Sequence, residues 1–318
     1  MSEPSVLDLI GGTPLVPLGR LARGLRVPVV AKCEHLNPGG SVKDRIALAI
    51  VDDAEARGVL TPGGTMVEAT AGNTGVGLAL VAAVRGYKLV CVLPEKMSEE
   101  KRQALRSLGA EVRVTPNAPP GHPDHFQTVA RRLSEEHGWF LTDQFRNPAN
   151  PLCHERTTGP ELWRQTGGAL GAFVAGAGTG GTLTGVGRFL RRVKPTVKIV
   201  LADPEGSRLA GLVREGVLGP DGRYLVEGIG SSVVPETLDV SVLTDAETVS
   251  DRESFETCHR LVREEGLLVG GSAGTAVAAA LRTARRGDLD GPVVVLLPDA
   301  WDRYQSRIFN PQWMREVP

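Results

Sequence analysis

The sequence VAGAGTGGTLTGVGRFL, residues 174–190, joins a short apolar run to closely spaced glycines and then to a helical pattern. A strand that leads through a short turn into a helix is the unit from which parallel α/β sheets are built. Glycines let the backbone approach an anion closely, and the helix dipole favours a phosphate at this end of a helix. The spacing has neither the lysine of a P-loop nor a clean dinucleotide fingerprint, so it favours a mononucleotide-sized phosphate. A glycine turn that binds no ligand is the alternative.

The same rhythm extends on both sides of this segment. Apolar runs alternate with amphipathic stretches, which is the pattern of parallel β/α units. The stretches that carry the pattern are residues 27–34, 45–58, 77–86, 88–94, 98–109, 197–204, 253–266 and 291–299. Residues 115–127, TPNAPPGHPDHFQ, interrupt it and predict a surface loop, so two α/β halves are expected.

Composition points to a globular protein that acts on small molecules. Of the 318 residues, 36 are basic and 37 are acidic, so no whole-chain field favours nucleic acid or an anionic membrane. The N-terminus lacks the basic and apolar regions of an export signal, and no apolar run approaches about 18 residues. We therefore expect neither export nor membrane insertion.

The four cysteines and six histidines do not have the spacing of a metal site. No two cysteines form a C-x-x-C pair, which argues against zinc and against a disulfide scaffold and fits a reducing cytoplasm. The histidines lack partners at metal-binding spacing, so surface or capping roles are favoured. The sequence predicts no metal.

Lys43 lies at a turn-to-helix junction in AKCEHLNPGGSVKDRIA, residues 31–47. A lysine amine becomes nucleophilic toward aldehydes when burial or a neighbour disfavours its charge. Together with segments able to bind a phosphate, this lysine indicates a covalently held phosphorylated aldehyde, for which pyridoxal phosphate is the natural candidate. Taken alone, Lys43 is better explained as a solvated surface charge than as a catalytic group.

In EATAGNTGVGLALVAA, residues 68–83, a polar turn leads into an apolar helix whose first backbone N–H groups can bind an anion. Thr70, Gly72, Asn73 and Thr74 are candidates to hold a substrate carboxylate, and the Asn73 amide can also donate to a cofactor oxygen. The alternative is an ordinary helix cap with glycines that permit the turn.

A third glycine segment, LLVGGSAGTAVAAALR, residues 267–282, presents Ser272 at the start of a helix. A serine that faces a pyridine nitrogen, unlike an aspartate, does not give it a full positive charge, so the ring would be a milder electron sink. Such a site suits elimination and replacement at Cβ. A capping role for the serine is the alternative.

Taken in order, these motifs resemble the cysteine synthase and cystathionine β-synthase family of fold-type II pyridoxal-phosphate enzymes. The resemblance implies two three-layer α/β domains with largely parallel sheets, as in the tryptophan synthase β-subunit. It further implies a smaller mobile domain at residues 45–150, a larger cofactor-binding domain at residues 1–44 and 151–318, and a cytoplasmic homodimer. The matching segments are GGTPLVPL (11–18), NPGGSVKDRIA (37–47), GNTGVGLA (72–79), GTGGTLTGVGRFL (178–190), VEGIG (226–230) and GGSAGT (270–275).

The resemblance also implies a role for each candidate residue. Lys43 is expected to form the Schiff base with pyridoxal phosphate, Asn73 to contact the ring's 3′ oxygen, and Ser272 to face the pyridine nitrogen. Gly228 is expected near the substrate amine. The phosphate is expected to bind Gly178, Thr179, Gly180, Gly181 and Thr182, and the substrate carboxylate to bind Thr70, Gly72, Thr74 and Gln144.

The family resemblance predicts β-replacement on serine or O-acetylserine by homocysteine, forming cystathionine, or by sulfide, forming cysteine. Segments 93–112, 115–127, 150–163 and 302–314 favour the cystathionine β-synthase side, without its regulatory module or haem-binding extension. Ala69 and Ala71 replace the family's usual proline and serine, and Ser231 and Ser232 follow VEGIG, so substrate specificity is left open. The alternatives are β-elimination, as in serine or threonine dehydratases, and a non-catalytic binding protein on the same fold.

Overall fold

The computed structural model describes residues 4–119 and 121–318. Residues 1–3, in the predicted larger domain, and residue 120, in the predicted surface loop, lie outside the described residues. The other residues between 116 and 125 carry no helix or strand. No helix in the described ranges has the length and apolar character needed to cross a membrane.

The regular elements alternate along the chain. The strands are β1 Leu15–Pro17, β2 Val29–Cys33, β3 Thr65–Glu68, β4 Lys88–Pro94, β5 Glu111–Thr115, β6 Phe140–Leu141, β7 Ala172–Gly176, β8 Lys198–Pro204, β9 Asp245–Val249 and β10 Val293–Leu297. The helices are α1 Lys43–Ala56, α2 Asn73–Arg85, α3 Glu99–Ser107, α4 Phe126–His137, α5 Ala149–Arg156, α6 Thr158–Gln165, α7 Gly181–Val193, α8 Leu209–Glu215, α9 Asp251–Arg260, α10 Gly271–Arg285 and α11 Pro311–Arg315. Short 3₁₀ turns occupy Val6–Leu9, Glu34–Leu36, Val240–Val242 and Trp301–Tyr304, and a π-helical turn occupies Leu261–Glu265.

Two compact units make up the fold. The smaller unit comprises residues up to 10 and 37–150, and the larger unit comprises residues 11–36 and 151–318. The predicted division assigned residues 1–44 to the larger domain, whereas in the structure residues 4–10 and 37–44 group with the smaller unit. One physical reason is that Leu7 packs into the same apolar cluster as Ala47 and Leu78 of the smaller unit.

The smaller unit contains a fully parallel sheet with strand order β5-β4-β3-β6. Alternate strand residues point to opposite faces, so Met66 and Leu89 belong to one apolar cluster and Val67 and Val90 to another. The first cluster includes residues of α1, α2 and α3, and the second includes residues of α4. Helices therefore cover both faces of the sheet, which gives three layers.

The larger unit contains a six-stranded sheet with strand order β1-β2-β10-β7-β8-β9. All neighbours pair in parallel except the edge strand β1, which pairs antiparallel to β2. Helix α10 is buried along nearly its whole length, as its alanine-rich sequence predicts, and packs with α9. The predicted fold class, α/β with two largely parallel sheets, is confirmed.

All four cysteines are buried and none forms a disulfide. The pKa of the Cys33 thiol is raised to about 11 and the pKa of the Cys91 thiol to about 12, mainly because both are buried. Burial also raises the pKa of Cys258. These side chains act as small apolar core residues.

Parallel strands in each sheet end at the same edge, and the motif segments follow these ends. In the smaller unit, β3 leads into residues 69–72 and β6 into residues 142–148. In the larger unit, β7 leads into residues 177–180 and β10 into residues 298–300. The carboxyl edge of an open parallel sheet is where such folds bind ligands, so the start of α2, the segment that carries Gln144 and the start of α7 lie where a ligand is expected.

Candidate active site

Lys43 is the first residue of α1 and is half-buried. The turn before it is held by Asp44, whose carboxylate accepts a hydrogen bond of 2.5 Å from the Gly39 amide. A Cβ at position 39 would lie 2.5 Å from Asp44 Oδ1, so a larger residue there would displace this carboxylate. The Lys43 side chain thus leaves a rigid turn at a helix start and keeps part of its surface accessible.

Helices α1 and α2 pack directly against each other at Gly77. A Cβ at Gly77 would lie 3.0 Å from the Ala47 Cβ and 3.1 Å from the Lys43 carbonyl oxygen. This close approach holds the first turn of α1 beside α2, whose first residue is Asn73. The structure therefore brings the elements that carry Lys43 and Asn73 together within the smaller unit.

Thr70, Gly72, Thr74 and Gln144, here called the carboxylate cluster, meet at the carboxyl edge of the smaller sheet. The Thr74 hydroxyl donates to Gln144 Oε1 over 2.6 Å, and the Gly72 amide donates to the Thr70 hydroxyl over 3.2 Å. The three polar side chains are at most 7% exposed, whereas Gly72 is exposed. The predicted residues are therefore assembled around the start of α2, where an anion is favoured.

Glu68, which the sequence analysis did not single out, lies beneath this cluster. Its carboxylate accepts hydrogen bonds from the Thr142 hydroxyl, the Gln144 amide at 3.2 Å and the Ala69 amide at 2.9 Å. Burial outweighs these hydrogen bonds and raises the pKa of Glu68 to about 7. The side chain links the turn that follows β3 to the segment that carries Gln144.

The glycine turn of the larger unit leads from β7 into α7. Gly180 has φ of 84° and caps α7 with left-handed backbone geometry that favours glycine. The turn is anchored because the Thr237 hydroxyl donates to the Thr179 carbonyl over 2.6 Å. The first residues of α7 are Gly181 and Thr182, so the five predicted phosphate residues surround one helix N-terminus.

Gly228 lies against this turn, as the two motifs require if they serve one ligand. A Cβ at Gly178 would lie 2.3 Å from the Gly228 carbonyl oxygen. The Gly230 amide donates to the Ala177 carbonyl over 2.8 Å, which fixes the VEGIG segment beside the turn. No residue larger than glycine fits at position 178 without a backbone shift.

Ser231, whose effect on specificity the sequence left open, is engaged within its own loop. Its hydroxyl donates to the Val233 carbonyl over 2.6 Å, and its amide donates to the Ser207 hydroxyl over 3.0 Å. The hydroxyl therefore stabilises the shape of the loop that follows Gly228.

His154, which the sequence did not single out, contacts Thr182 at the end of the glycine turn. Its Nε2 lies 3.2 Å from the Thr182 hydroxyl and its Nδ1 lies 2.9 Å from the Thr158 hydroxyl. The sequence favoured a surface or capping role for histidines, but His154 is only 1% exposed. The imidazole orients the Thr182 hydroxyl, a role that no spacing rule reveals because it depends on the packing of separate helices.

Ser272 is the second residue of α10 and is 4% exposed. Within the described ranges, its hydroxyl makes no hydrogen bond to another side chain or to the backbone. The hydroxyl is therefore available to a ligand, and this position suits a ligand atom that hydrogen-bonds to it.

These features fit pyridoxal phosphate. The glycine turn leaves no room for side chains and presents a helix N-terminus that suits the phosphate, and the Ser272 hydroxyl suits a ring nitrogen. In the smaller unit, the half-buried Lys43 amine suits the aldehyde.

Comparison with known proteins supports this chemistry. The family described as pyridoxal-phosphate dependent enzyme matches residues 6–299. Cystathionine beta-synthase of Apis mellifera is 44% identical over 322 residues, covering 98% of this chain and 62% of that protein. Cysteine synthase of Staphylococcus aureus is 43% identical over 304 residues, and the match covers 95% of this chain and 95% of that protein. The chain thus spans less than two thirds of the first relative and nearly all of the second.

Among solved structures, that of O-ureido-L-serine synthase has a TM-score of 0.89 to this chain and 40% sequence identity. The match covers 98% of this chain and 96% of the other. Three differently named synthases are therefore similar to this chain in sequence, and one of them is also similar in fold.

Proposed function

The chain belongs to the pyridoxal-phosphate dependent enzymes, and from this we propose that it catalyses β-replacement on serine or O-acetylserine in sulfur amino-acid biosynthesis. The leading assignment is cystathionine formation from homocysteine, and cysteine formation from sulfide is a close second. The observation that carries the proposal is that the Lys43 amine and the carboxylate cluster lie in the same unit. A lysine base and a site for an α-carboxylate are what chemistry at Cα requires.

We assign the cofactor contacts as follows. Lys43 would bind the aldehyde carbon, Asn73 would contact the ring's 3′ oxygen, and the Ser272 hydroxyl would hydrogen-bond to the ring nitrogen. The residues that would bind the phosphate are Gly178, Thr179, Gly180, Gly181 and Thr182. His154 orients the Thr182 hydroxyl. The carboxylate cluster binds the amino-acid substrate and Gly228 lies near its amine.

In this assignment the protein mainly orients the substrate and moves one proton. Pyridoxal phosphate, when bound, supplies an electron sink that weakens the Cα–H bond. The Lys43 amine, once the substrate amine has displaced it from the aldehyde carbon, would take the Cα proton and later return it to the same carbon, a step worth about 10²–10⁴-fold in rate. The carboxylate cluster holds the substrate so that this proton faces the amine.

Elimination without replacement is the alternative, because a dehydratase uses the same lysine and phosphate turn. The reactions differ in what reaches Cβ after the leaving group has departed: a thiol gives a stable product, whereas water entry leads to pyruvate and ammonia. Pyruvate formed in an amount equal to the substrate consumed would favour elimination.

A product assay on the cofactor-loaded protein tests the proposal. Serine or O-acetylserine is offered with homocysteine, with sulfide or, because of the O-ureido-L-serine synthase relative, with hydroxyurea, and products are resolved by mass. Cystathionine as the fastest product is expected. Cysteine with little cystathionine would make the chain a cysteine synthase, and O-ureidoserine as the main product would overturn the thiol assignment.

We further propose that the protein is a cytoplasmic homodimer whose partners are small-molecule amino acids and thiols or sulfide, without nucleic acid or membrane. The near-balance of 36 basic and 37 acidic residues supports the small-molecule assignment. Sedimentation analysis of the holoenzyme tests the dimer, for which a monomer mass would be the contrary result.

A further inference from the structure

The C-terminal segment 301–317 returns to the larger unit's core. Tyr304, Ile308 and Val317 belong to the apolar cluster that also contains Phe255 and Ala273. The Ile308 carbonyl lies 2.6 Å from His259 Nε2, and the Trp313 ring packs edge-on against Phe255 with centroids 5.5 Å apart. The tail is therefore an integral part of the unit that carries Ser272.

One contact of this tail is directed at the Ser272 segment. The Tyr304 hydroxyl donates to Asp299 Oδ2 over 2.5 Å, and the two residues are 8% and 2% exposed. The Asp299 carbonyl accepts a hydrogen bond of 3.1 Å from the Gly270 amide. One residue beyond Asp299, Ala300 forms an antiparallel bridge with Val269.

Gly270 is the cap of α10, and Ser272 follows two residues later. A Cβ at Gly270 would lie 2.4 Å from the Tyr304 ring carbon Cε2 and 2.5 Å from Asp299 Oδ1. The Tyr304 ring and the Asp299 carboxylate therefore both pack closely against the backbone at the start of α10. Because side chains in packed interiors have little freedom, a change in either group shifts the helix start.

We propose that Tyr304 and Asp299 are positioning residues that set the Ser272 hydroxyl relative to the cofactor's ring nitrogen. The inference rests on the proposed role of Ser272 as the partner of that nitrogen. It assigns a purpose to the tail, which the proposed reaction otherwise does not use. Neither side chain touches substrate or cofactor in this account, since both act through the backbone of Gly270.

The test is the ¹⁵N resonance of pyridoxal phosphate labelled at its ring nitrogen, recorded by solid-state NMR on the holoenzyme. Ser272→Ala is the reference and is expected to shift the resonance by removing the hydroxyl. Tyr304→Phe retains the ring but loses the hydrogen bond, and is expected to shift the resonance in the same direction with a roughly 5- to 10-fold lower kcat. The matched control, Tyr87→Phe, removes the 2.7 Å hydrogen bond from Tyr87 to Glu55 in the smaller unit and is expected to leave the resonance unchanged.

The outcomes separate the two hypotheses. A Ser272→Ala resonance equal to wild type would overturn the role of Ser272 itself, and with it the inference. A shift in Ser272→Ala without one in Tyr304→Phe would overturn the positioning role alone. Gly270→Ala is the second variant, since its new Cβ displaces the same contacts, and it decides the question if Tyr304→Phe does not fold.

Discussion

At the scale of single residues, Lys43→Ala removes the proposed base. We expect turnover to fall by about 10²–10⁴-fold, because this is the usual contribution of a positioned general base. Steady-state rates and the visible absorbance of the cofactor-loaded protein measure the change. Lys88→Ala, at an exposed lysine of the same unit, is the control and should keep full activity. A Lys43→Ala enzyme with wild-type turnover would contradict the assignment.

Thr74→Val tests the carboxylate cluster. Valine keeps the shape of threonine but removes the hydroxyl that donates to Gln144 over 2.6 Å. We expect KM for the amino-acid donor to rise about 10-fold, equivalent to about 1.4 kcal/mol of binding, while cofactor affinity stays unchanged. Thr74→Ser restores the hydroxyl and should restore KM. Equal KM values for the valine and serine variants would speak against a carboxylate site at this position.

Sequence reasoning can propose candidate residues where a residue type alone carries the chemistry. Lys43, Ser272 and the glycine turn were predicted because an amine, a hydroxyl and closely spaced glycines at helix starts suggest chemistry without knowledge of their neighbours. Glu68 and His154 were missed because their roles depend on Thr142, 74 positions away, and Thr182, 28 positions away. Such pairings exist only after the chain has folded.

At the scale of elements, the turn between β7 and α7 depends on contact with the VEGIG segment. Gly178→Ala would place a Cβ 2.3 Å from the Gly228 carbonyl oxygen, so one segment must move. We expect cofactor affinity to fall by about 10-fold or more, measured by titrating the cofactor-free protein, because overpacking typically costs 1–3 kcal/mol. Gly19→Ala, where a Cβ meets nothing within 4 Å, is the control. Unchanged affinity in Gly178→Ala would show that the turn does not bind the phosphate.

The longer elements could be predicted because burial imposes a period on the sequence. The stretch 98–109 contains α3 Glu99–Ser107, and 197–204 contains β8 Lys198–Pro204. The strand β6 Phe140–Leu141 could not be predicted, since two residues carry no period and its place is set by pairing with β3. Helix α4 was also missed, although its glycine cap, Gly138, is typical of a helix end.

At the scale of the whole molecule, stability should depend on pH through Glu68. Its pKa of about 7 in the folded chain exceeds the ordinary value of 4.5. Between these two pH values the folded chain therefore binds more protons at Glu68 than the unfolded chain does. The contribution of Glu68 to the free energy of unfolding is highest below about pH 4.5 and falls as pH rises through 7. The full contribution of Glu68 to the free energy of unfolding is about 3 kcal/mol. Asp203, with a pKa raised by burial to about 6, acts in the same direction.

Glu68→Gln is expected to flatten this part of the pH profile. Urea unfolding of the cofactor-free protein from pH 4.5 to 8 measures it, and the exposed Glu100→Gln variant serves as control. A Glu68→Gln profile as steep as that of wild type would rule out Glu68 as the titrating group.

The division into units shows the limit of sequence reasoning at this scale. Two α/β halves were predicted with residues 115–127 between them, whereas in the structure this loop lies within the smaller unit. Residues 4–10 and 37–44, which the family resemblance assigned to the larger domain, also group with the smaller unit. That grouping comes from contacts such as Leu7 with the cluster of Ala47, which join distant parts of the chain. The local sequence pattern predicts helices and strands, but the unit to which each of them belongs depends on tertiary packing.

The buried cysteines have a consequence for a protein proposed to handle thiols and sulfide. Only the thiolate exchanges with disulfides or is readily oxidised, and a pKa of about 11 for Cys33 and about 12 for Cys91 leaves little thiolate at neutral pH. All four thiols are also shielded from the solvent in which reactive sulfur species diffuse. If the protein handles thiols or sulfide as proposed, we expect its own cysteines to react slowly with the sulfur species around it.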